Sequence, residues 1–303
     1  MNQIISNRSE LLFLYDIENA NPNGDPINEN RPRFDTESST VLVSDVRLKR
    51  TIRDYWYEYK GYNGSEENQD IFVRETKYED DGKEYIKDGK RRAKDFGELS
   101  DVILNKCIDI RVFGGVIPLD KDSITYIGPV QFQMGKSLNP TEIVEEQGTG
   151  AFASGDKKGQ ATFRTEFKVP YAIIGFNGII NEKAAQYTHM AVADKELLLE
   201  GIWDGTKSLI SRSKFGQSPL FLLTIDYNEP FYIGNLRQRL KLDSEMNGVQ
   251  IRSANDYKLD VSDLMDVLHE NKDKIANITL RKDPRLQMVS NGEKLENISK
   301  DGI

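Results

Sequence analysis

A chain of 303 residues, 38% hydrophobic and 30% charged, can bury a substantial core as one elaborated domain or two ordinary ones. No apolar run approaches the roughly eighteen residues of a membrane span, residues 1–9 lack the basic-then-apolar layout of a secretory leader, and the single Cys107 excludes an internal disulfide, so a soluble cytoplasmic protein is expected. The net charge of −8 speaks against indiscriminate polyanion binding, but acid and base are segregated, and residues 128–141 and 205–225 contain no acidic residue to oppose a phosphate chain.

In chain order, Leu11 to Ile17 is short, apolar and rich in strand formers, as a buried mid-sheet strand should be. Asn19 to Pro26 follows as a shaped loop, its prolines fixing φ and its Asn, Gly and Asp residues tolerating turns. From Ser44 or Asp45 a helix is predicted, with Leu48, Ile52, Tyr55, Trp56 and Tyr59 as its core face. Arg47, Lys49, Arg50 and Arg53 project from the rest of its circumference. On this stretch alone a solvated face is the simpler reading and a phosphate grip the sharper one.

Lys60 to Lys94 reads as a polar insertion with a hairpin at Tyr78 to Ile86 around Asp81-Gly82. Phe96 to Asn105 reads as a short helix, and Cys107 to Phe113 alternates as a strand ending at Gly114-Gly115. A further strand spans Ile124 to Met134, interrupted at Gly128-Pro129, with Val130 and Phe132 opposite Gln131 and Gln133. Gly135 to Gln160 has no clear period, and a structureless stretch of that length is usually functional or disordered. Thr165 to Ile180 reads as two strand-like runs broken by Pro170 and Asn177-Gly178. Asp194 is placed to cap a helix reaching Leu209, with Gly201 and Gly205 allowing close packing on a sheet, and Pro219 to Tyr227 is another buried strand. The sum is an α+β, ferredoxin-like βαββαβ core with two large insertions. A helix at Val261 to Ile275 and a strand at Ile278 to Arg281 pack against it, and Arg237 to Lys241 adds basic character.

Catalytic signatures are weak. His189 and His269 lie far apart and outside any nucleophile or metal motif. Asn19-x-Asn21-x-Asn23-Gly24 matches a calcium loop poorly, since Asn30 stands where the twelfth-position Glu belongs. Asp16, Asp25 and Asp45 are a conceivable metal set, although three acids near a sheet edge more often cap and turn. No phosphate-binding or dinucleotide fingerprint is present, and neither metal nor cofactor is expected. Nucleic-acid binding has the better support: the helix cations, Lys136 with Ser137, and Arg212-Ser213-Lys214 are expected to converge on one sheet face.

Asn21-Pro-Asn-Gly-Asp-Pro26, Asp45-Val-Arg-Leu-Lys-Arg-Thr-Ile-Arg53, Asp109-Ile-Arg-Val-Phe-Gly114, Gly128-Pro-Val-Gln131 and Arg212-Ser-Lys214 together resemble the family-seven CRISPR-associated backbone subunit of type I Cascade, of the RAMP superfamily, closest to subtype I-B. The resemblance implies an RRM-like palm (residues 1–59, 98–134 and 165–303) with a fingers insertion (60–97) and a thumb hairpin (135–164). It implies a non-enzymatic subunit that polymerises head to tail along a CRISPR guide RNA, supports pairing with target DNA and joins other Cascade subunits, without membrane contact. Cleavage would belong to a recruited nuclease-helicase. Carried over by position, guide contacts fall to Asn21, Asn23, Arg47, Lys49, Arg50, Arg53, Gln131, Lys136, Ser137, Arg212 and Lys214. Phe113 and Gly114 would line the groove, and Phe152 or Phe163 would be the thumb wedge. The competing reading is an RNA-cutting relative of the same fold, using His189 or a metal held by Asp16, Asp25 and Asp45.

Overall fold

The computed structural model describes residues 3–66, 69–149 and 163–303. Its principal elements, in chain order, are β1 (Ser9–Ala20), β2 (Thr40–Val43), α1 (Asp45–Tyr59), α2 (Ile108–Phe113), β3 (Val130–Phe132), β4 (Gly135–Ser137), β5 (Val144–Thr149), β6 (Phe163–Ile180), α3 (Val192–Lys207), β7 (Gln217–Tyr227), α4 (Ser262–Glu270) and β8 (Ile275–Lys282). Leu11 to Ile17 is buried on both faces of a large antiparallel sheet. β1 lies between β6 and β7, with β8 outside β7. Beyond β6 come β3 and β4, and β2 pairs with β4.

Alternation along β1 sorts the core. Leu11, Phe13, Tyr15 and Ile17 face α1 and α3, while Leu12 and Leu14 face a second core closed by α4 and the C-terminal segment. Ser44 is the N-cap of α1, its hydroxyl accepting from Arg47 N at 3.2 Å. Leu48, Ile52, Tyr55 and Trp56 are buried as expected, whereas Tyr59 is 60% exposed and stacks on Tyr55. Gly201 and Gly205 do permit close packing, but on α1 rather than on the sheet: a Cβ at Gly201 would meet Ile52 at 2.9 Å. Asp194 is not the N-cap of α3. The helix begins after Ala191, whose N–H donates to the Asp194 carboxylate at 3.0 Å.

Two expected strands are different elements. Residues 108–113 form α2, in which five of six side chains are buried. So short a run carries no usable period when nearly all of it is inside. Phe163–Ile180 is one continuous strand. Its ladder pairs Val169 and Tyr171 with Ala20 and Glu18, so no bond is asked of Pro170, and Gly178 is a close-contact point under Phe132, not a turn. Gly135–Ser137, expected to open an unpatterned stretch, joins the main sheet, where a Cβ on Gly135 would strike the Phe176 ring. Val144–Thr149 then pairs with residues 163–168 as a hairpin running off the sheet. Phe152 lies outside the described residues, and Phe163 is the first residue of β6.

The insertion after α1 has a core of its own. Phe72, Phe96, Ile103, Cys107, Ile110 and Ile117 cluster together, so its packing reaches well past residue 97. Its hairpin forms as expected, with Lys77–Asp80 paired to Lys83–Ile86 and positive φ at Asp81 and Gly82.

Candidate nucleic-acid interface

Where β1 ends, the Asn-rich loop is tied to two neighbours. Asn21 N donates to Ser213 O at 2.9 Å and Lys214 Nζ to Asn21 O at 2.5 Å, joining the loop to residues 211–214. Asn23 Oδ1 accepts from Ser44 N at 2.8 Å, joining it to the start of α1. Those ties set Arg47, one turn into the helix, beside Lys214 and above Tyr15.

The Arg47 guanidinium is half-buried and has no hydrogen-bond or ion-pair partner among the described residues, its Nε fully enclosed. Burial pulls its pKa below the ordinary value, an effect that nearby Tyr15 and Asp54 oppose. Among the described residues Lys214 has a carbonyl for a partner and no carboxylate. Burial, reinforced by the like charge of Arg47, lowers it to about 8. Two cations held this way, without counter-charge and partly out of water, are costly for the free chain and suited to an anion. Arg212 adjoins them, exposed, with Nε 3.0 Å from Glu166 at the root of the β5–β6 hairpin. There Arg31 also lies over the Phe167 ring at 4.0 Å. Gln217, whose buried Nε2 has no partner among the described residues, lines the same narrow cavity as Arg47; a lone Gln opening a strand gives no signal in sequence.

The other cations of α1 are spoken for. Lys49 pairs with Asp45 at 3.0 Å, and Arg50 pairs with Asp54 while donating to Val73 O at 3.3 Å. Arg53 is not a surface cation at all. Its Nε meets Asp109 at 2.9 Å, and Asp109, fully buried, also accepts from Phe72 N and Val73 N. This is the joint between α1 and the insertion. Phe113 and Gly114 do not line an open groove. Phe113 is buried and stacked on Trp56, and the bare backbone of Gly114 lets Gly128 approach, since a Cβ there would come within 2.3 Å of Gly128 N.

Ser137 is likewise internal, its hydroxyl accepting from Val41 N and donating to Asn139 O. Lys136 does not join Arg47 on one face. It pairs with Gly175, whose Cβ would point at Arg237 and Leu138, while Tyr15 and Ile174 point the other way, so the sheet stands between the two cations. Lys136 binds Asp35 at 3.1 Å and, after the Ser38 hydroxyl, helps hold that carboxyl at about 2. Gln131 is exposed and donates to Gly128 O. The structure therefore gathers Asn21, Asn23, Arg47, Arg212 and Lys214, with Lys49 and Arg50 farther along the helix, and leaves Arg53, Phe113, Gly114 and Ser137 inside.

The family model described as CRISPR-associated protein Cas7 matches residues 7–262. The chain belongs to the Cas7 family. A CRISPR-associated protein Cas7 from Haloferax volcanii is 34% identical over 314 residues, covering 93% of this chain and 88% of its own length. Among solved structures, a chain of a CRISPR RNA-guided surveillance complex superposes with a TM-score of 0.54 at 11% identity, covering 91% of this chain and 88% of that one, a likeness of fold.

In this Cas7-family chain the competing catalytic sets do not assemble. Asp16 accepts from Tyr171 and Arg285, Asp25 from Arg33, and Asp45 from Lys49, and among the described residues no group of three or more His, Cys, Asp or Glu is placed to hold a metal. His189 is the left-handed C-cap of a short helix, beside the Arg111–Asp194 ion pair in a cavity of about 580 Å³. No helix among the described residues is long and apolar enough to cross a membrane.

Proposed function

We propose that this chain is the non-enzymatic, guide-RNA-binding backbone subunit of a type I Cascade interference complex, of subtype I-B. The carrying observation is Arg47, without a partner among the described residues, beside Lys214 at the Asn21–Asn23 loop, in a member of the Cas7 family. An acid-poor site with two uncompensated cations and several amides suits a sugar-phosphate chain held without reading its bases. Sequence is then read by pairing between guide and target DNA, and the protein needs only to hold the backbone.

A ferredoxin-like, RRM-like palm is supported by the spatial order β7, β1, β6, β3, with α1 following β1 and α3 following β6. Residues 60–97, with the packing that continues to Ile117, serve as fingers, and the β5–β6 hairpin serves as the thumb. Copies stack head to tail through a heterologous interface that does not close on itself, which gives an open helix along the RNA beside the other Cascade subunits. Arg47, Lys214, Arg212, Asn21 and Asn23 carry the guide backbone, with Lys49 and Arg50 released to it from their exchangeable i, i+4 acids. Gln131 and Lys136 stand on the opposite face of the sheet from Arg47 and take no part in this groove.

The test is RNA retention by an Arg47→Gln, Lys214→Gln double variant purified with its guide. The expected result is loss of the absorbance excess at 260 nm with a cooperative melting transition preserved. A folded double variant that keeps its full RNA complement would overturn the reading.

A further inference from the structure

Three of the four polar groups of Asn21 are satisfied inside the protein. Its N–H donates to Ser213 O at 2.9 Å, its carbonyl accepts from Lys214 Nζ at 2.5 Å, and its Nδ2 donates to Asn30 O at 2.7 Å. The last bond fixes how the amide is turned, because the side-chain oxygen in that place would face a carbonyl oxygen. The fourth group, Oδ1, has no partner among the described residues, in a residue only 3% exposed. Buried acceptors are rarely left without a donor, and one that is regains stability when a ligand supplies it.

The cations beside it ask for something different. Arg47 and Lys214 are donors and want acceptors, which the oxygens of a phosphodiester provide. That same phosphodiester has nothing to give Asn21 Oδ1. Within a nucleic-acid backbone the one donor is the 2′-hydroxyl of ribose, which DNA lacks. Base amino groups also donate, but they differ from nucleotide to nucleotide and cannot serve a site that holds backbone alone.

We infer that Asn21 Oδ1 accepts the 2′-hydroxyl of the nucleotide whose phosphate lies against Arg47 and Lys214, so that Asn21 makes this site choose RNA over DNA. The inference rests on the reading of this surface as a guide-backbone groove. Access fits the fold. Segment 24–31 covers the amide through Asn30; its ends are anchored by the pairing of Gly24 and Asp25 with Pro32 and Arg31 and by Arg31 over the Phe167 ring, while residues 26–29 are exposed, the turn being closed by Asn28 N and Asn30 N to Asp25 O. An entering strand can shift residues 26–29 while Asn30 O stays on the Asn21 amide, so the acceptor keeps its orientation. Asn23, spent on capping the start of α1 through Ser44 N, has no such free acceptor role.

The experiment compares three forms of one short oligonucleotide, ribo, deoxy and 2′-O-methyl, binding to the purified chain freed of nucleic acid. The wild type should hold the ribo form about tenfold more tightly than either other form, as one hydrogen bond is worth. The 2′-O-methyl form is decisive because it keeps the oxygen and loses the proton. Asn21→Ala should lose the preference, holding the ribo form no more tightly than the deoxy or 2′-O-methyl form. The comparison on the wild type needs no variant, so a misfolded Asn21→Ala leaves the test intact. Equal wild-type affinity for all three forms, or equal loss of ribo and deoxy binding in Asn21→Ala, overturns the inference while leaving the groove standing. Failure of the wild type to bind any of them overturns the groove itself.

Discussion

Arg47 carries a charge that the folded chain partly removes from water and does not pair, and this has a thermodynamic consequence apart from RNA. Arg47→Met keeps the length and the apolar stem while removing the charge, so the free protein should become more stable, by about 1 kcal/mol, a rise of a few degrees in melting temperature, while losing guide RNA. Calorimetry on the RNA-free chain checks the first half, and a fall in melting temperature would contradict it. Lys214 makes a pH prediction of defined sign. Its folded value of about 8 lies below the ordinary lysine value, so the cost of burying the ammonium is fully present below pH 8 and fades as the folded form sheds its proton towards pH 10. The free chain should gain stability over that window relative to Lys214→Met, whereas RNA, which needs the ammonium, should bind more weakly. Parallel melts and binding isotherms at pH 7.5 and 9.5 on the scale of that window show whether the two trends oppose. Among the cations of α1, part of this was legible beforehand. Asp45 and Asp54 stand four residues from Lys49 and Arg50, a spacing that forms helix pairs, but the partner of Arg53 is 56 residues away and no local pattern announces it.

At the scale of elements that distant pair is the joint between α1 and the insertion. Arg53→Leu leaves the fully buried Asp109 without its counter-charge and should cost about 3 kcal/mol, whereas Arg50→Ala, which breaks an exposed pair, should cost less than about 1 kcal/mol. Urea midpoints separate the two, and equal shifts would show that Arg53 is not the joint. The α1–α3 contact is a second fixed point. Gly201→Val drives a side chain into Ile52 and Trp56 and should destabilise by about 1–3 kcal/mol, with the same measurement as its check. The long elements were readable because their periods are unambiguous: β1, α1, α3 and β7 lie within a few residues of where Leu11–Ile17, the Leu48–Trp56 face, Leu198–Ile202 and Pro219–Tyr227 put them. What failed were six-residue and interrupted stretches. Ile108, Ile110 and Val112 alternate, yet Asp109 between them is buried too, drawn in by Arg53, so the alternation was no sign of an exposed face. Pro170 looked like a strand end because sequence cannot show that its missing N–H falls where the ladder demands none.

Over the whole molecule, an excess of eight negative charges must coexist with retention of a polyanion, and around the candidate site the described cations divide into those paired with acids and those that are not. Beside the site, Lys49 is bound to Asp45, Arg50 to Asp54 and Arg212 to Glu166. A phosphate reaching one of those exchanges one ion pair for another and releases little net counter-charge. Arg47 and Lys214 have no acid to surrender among the described residues, so they supply the electrostatic term for each copy. With two phosphates neutralised per copy, the logarithm of affinity for an RNA long enough for one copy should fall with the logarithm of salt at a slope of about −1.4. Lys214→Gln should reduce that slope by about 0.7, and Lys49→Gln should change it little. Equal flattening by both variants would mean that the helix pairs open fully and that the site is a broad basic face rather than a pair of unpartnered cations. A slope of −3 or steeper on the same scale would point the same way, requiring contacts beyond Arg47 and Lys214.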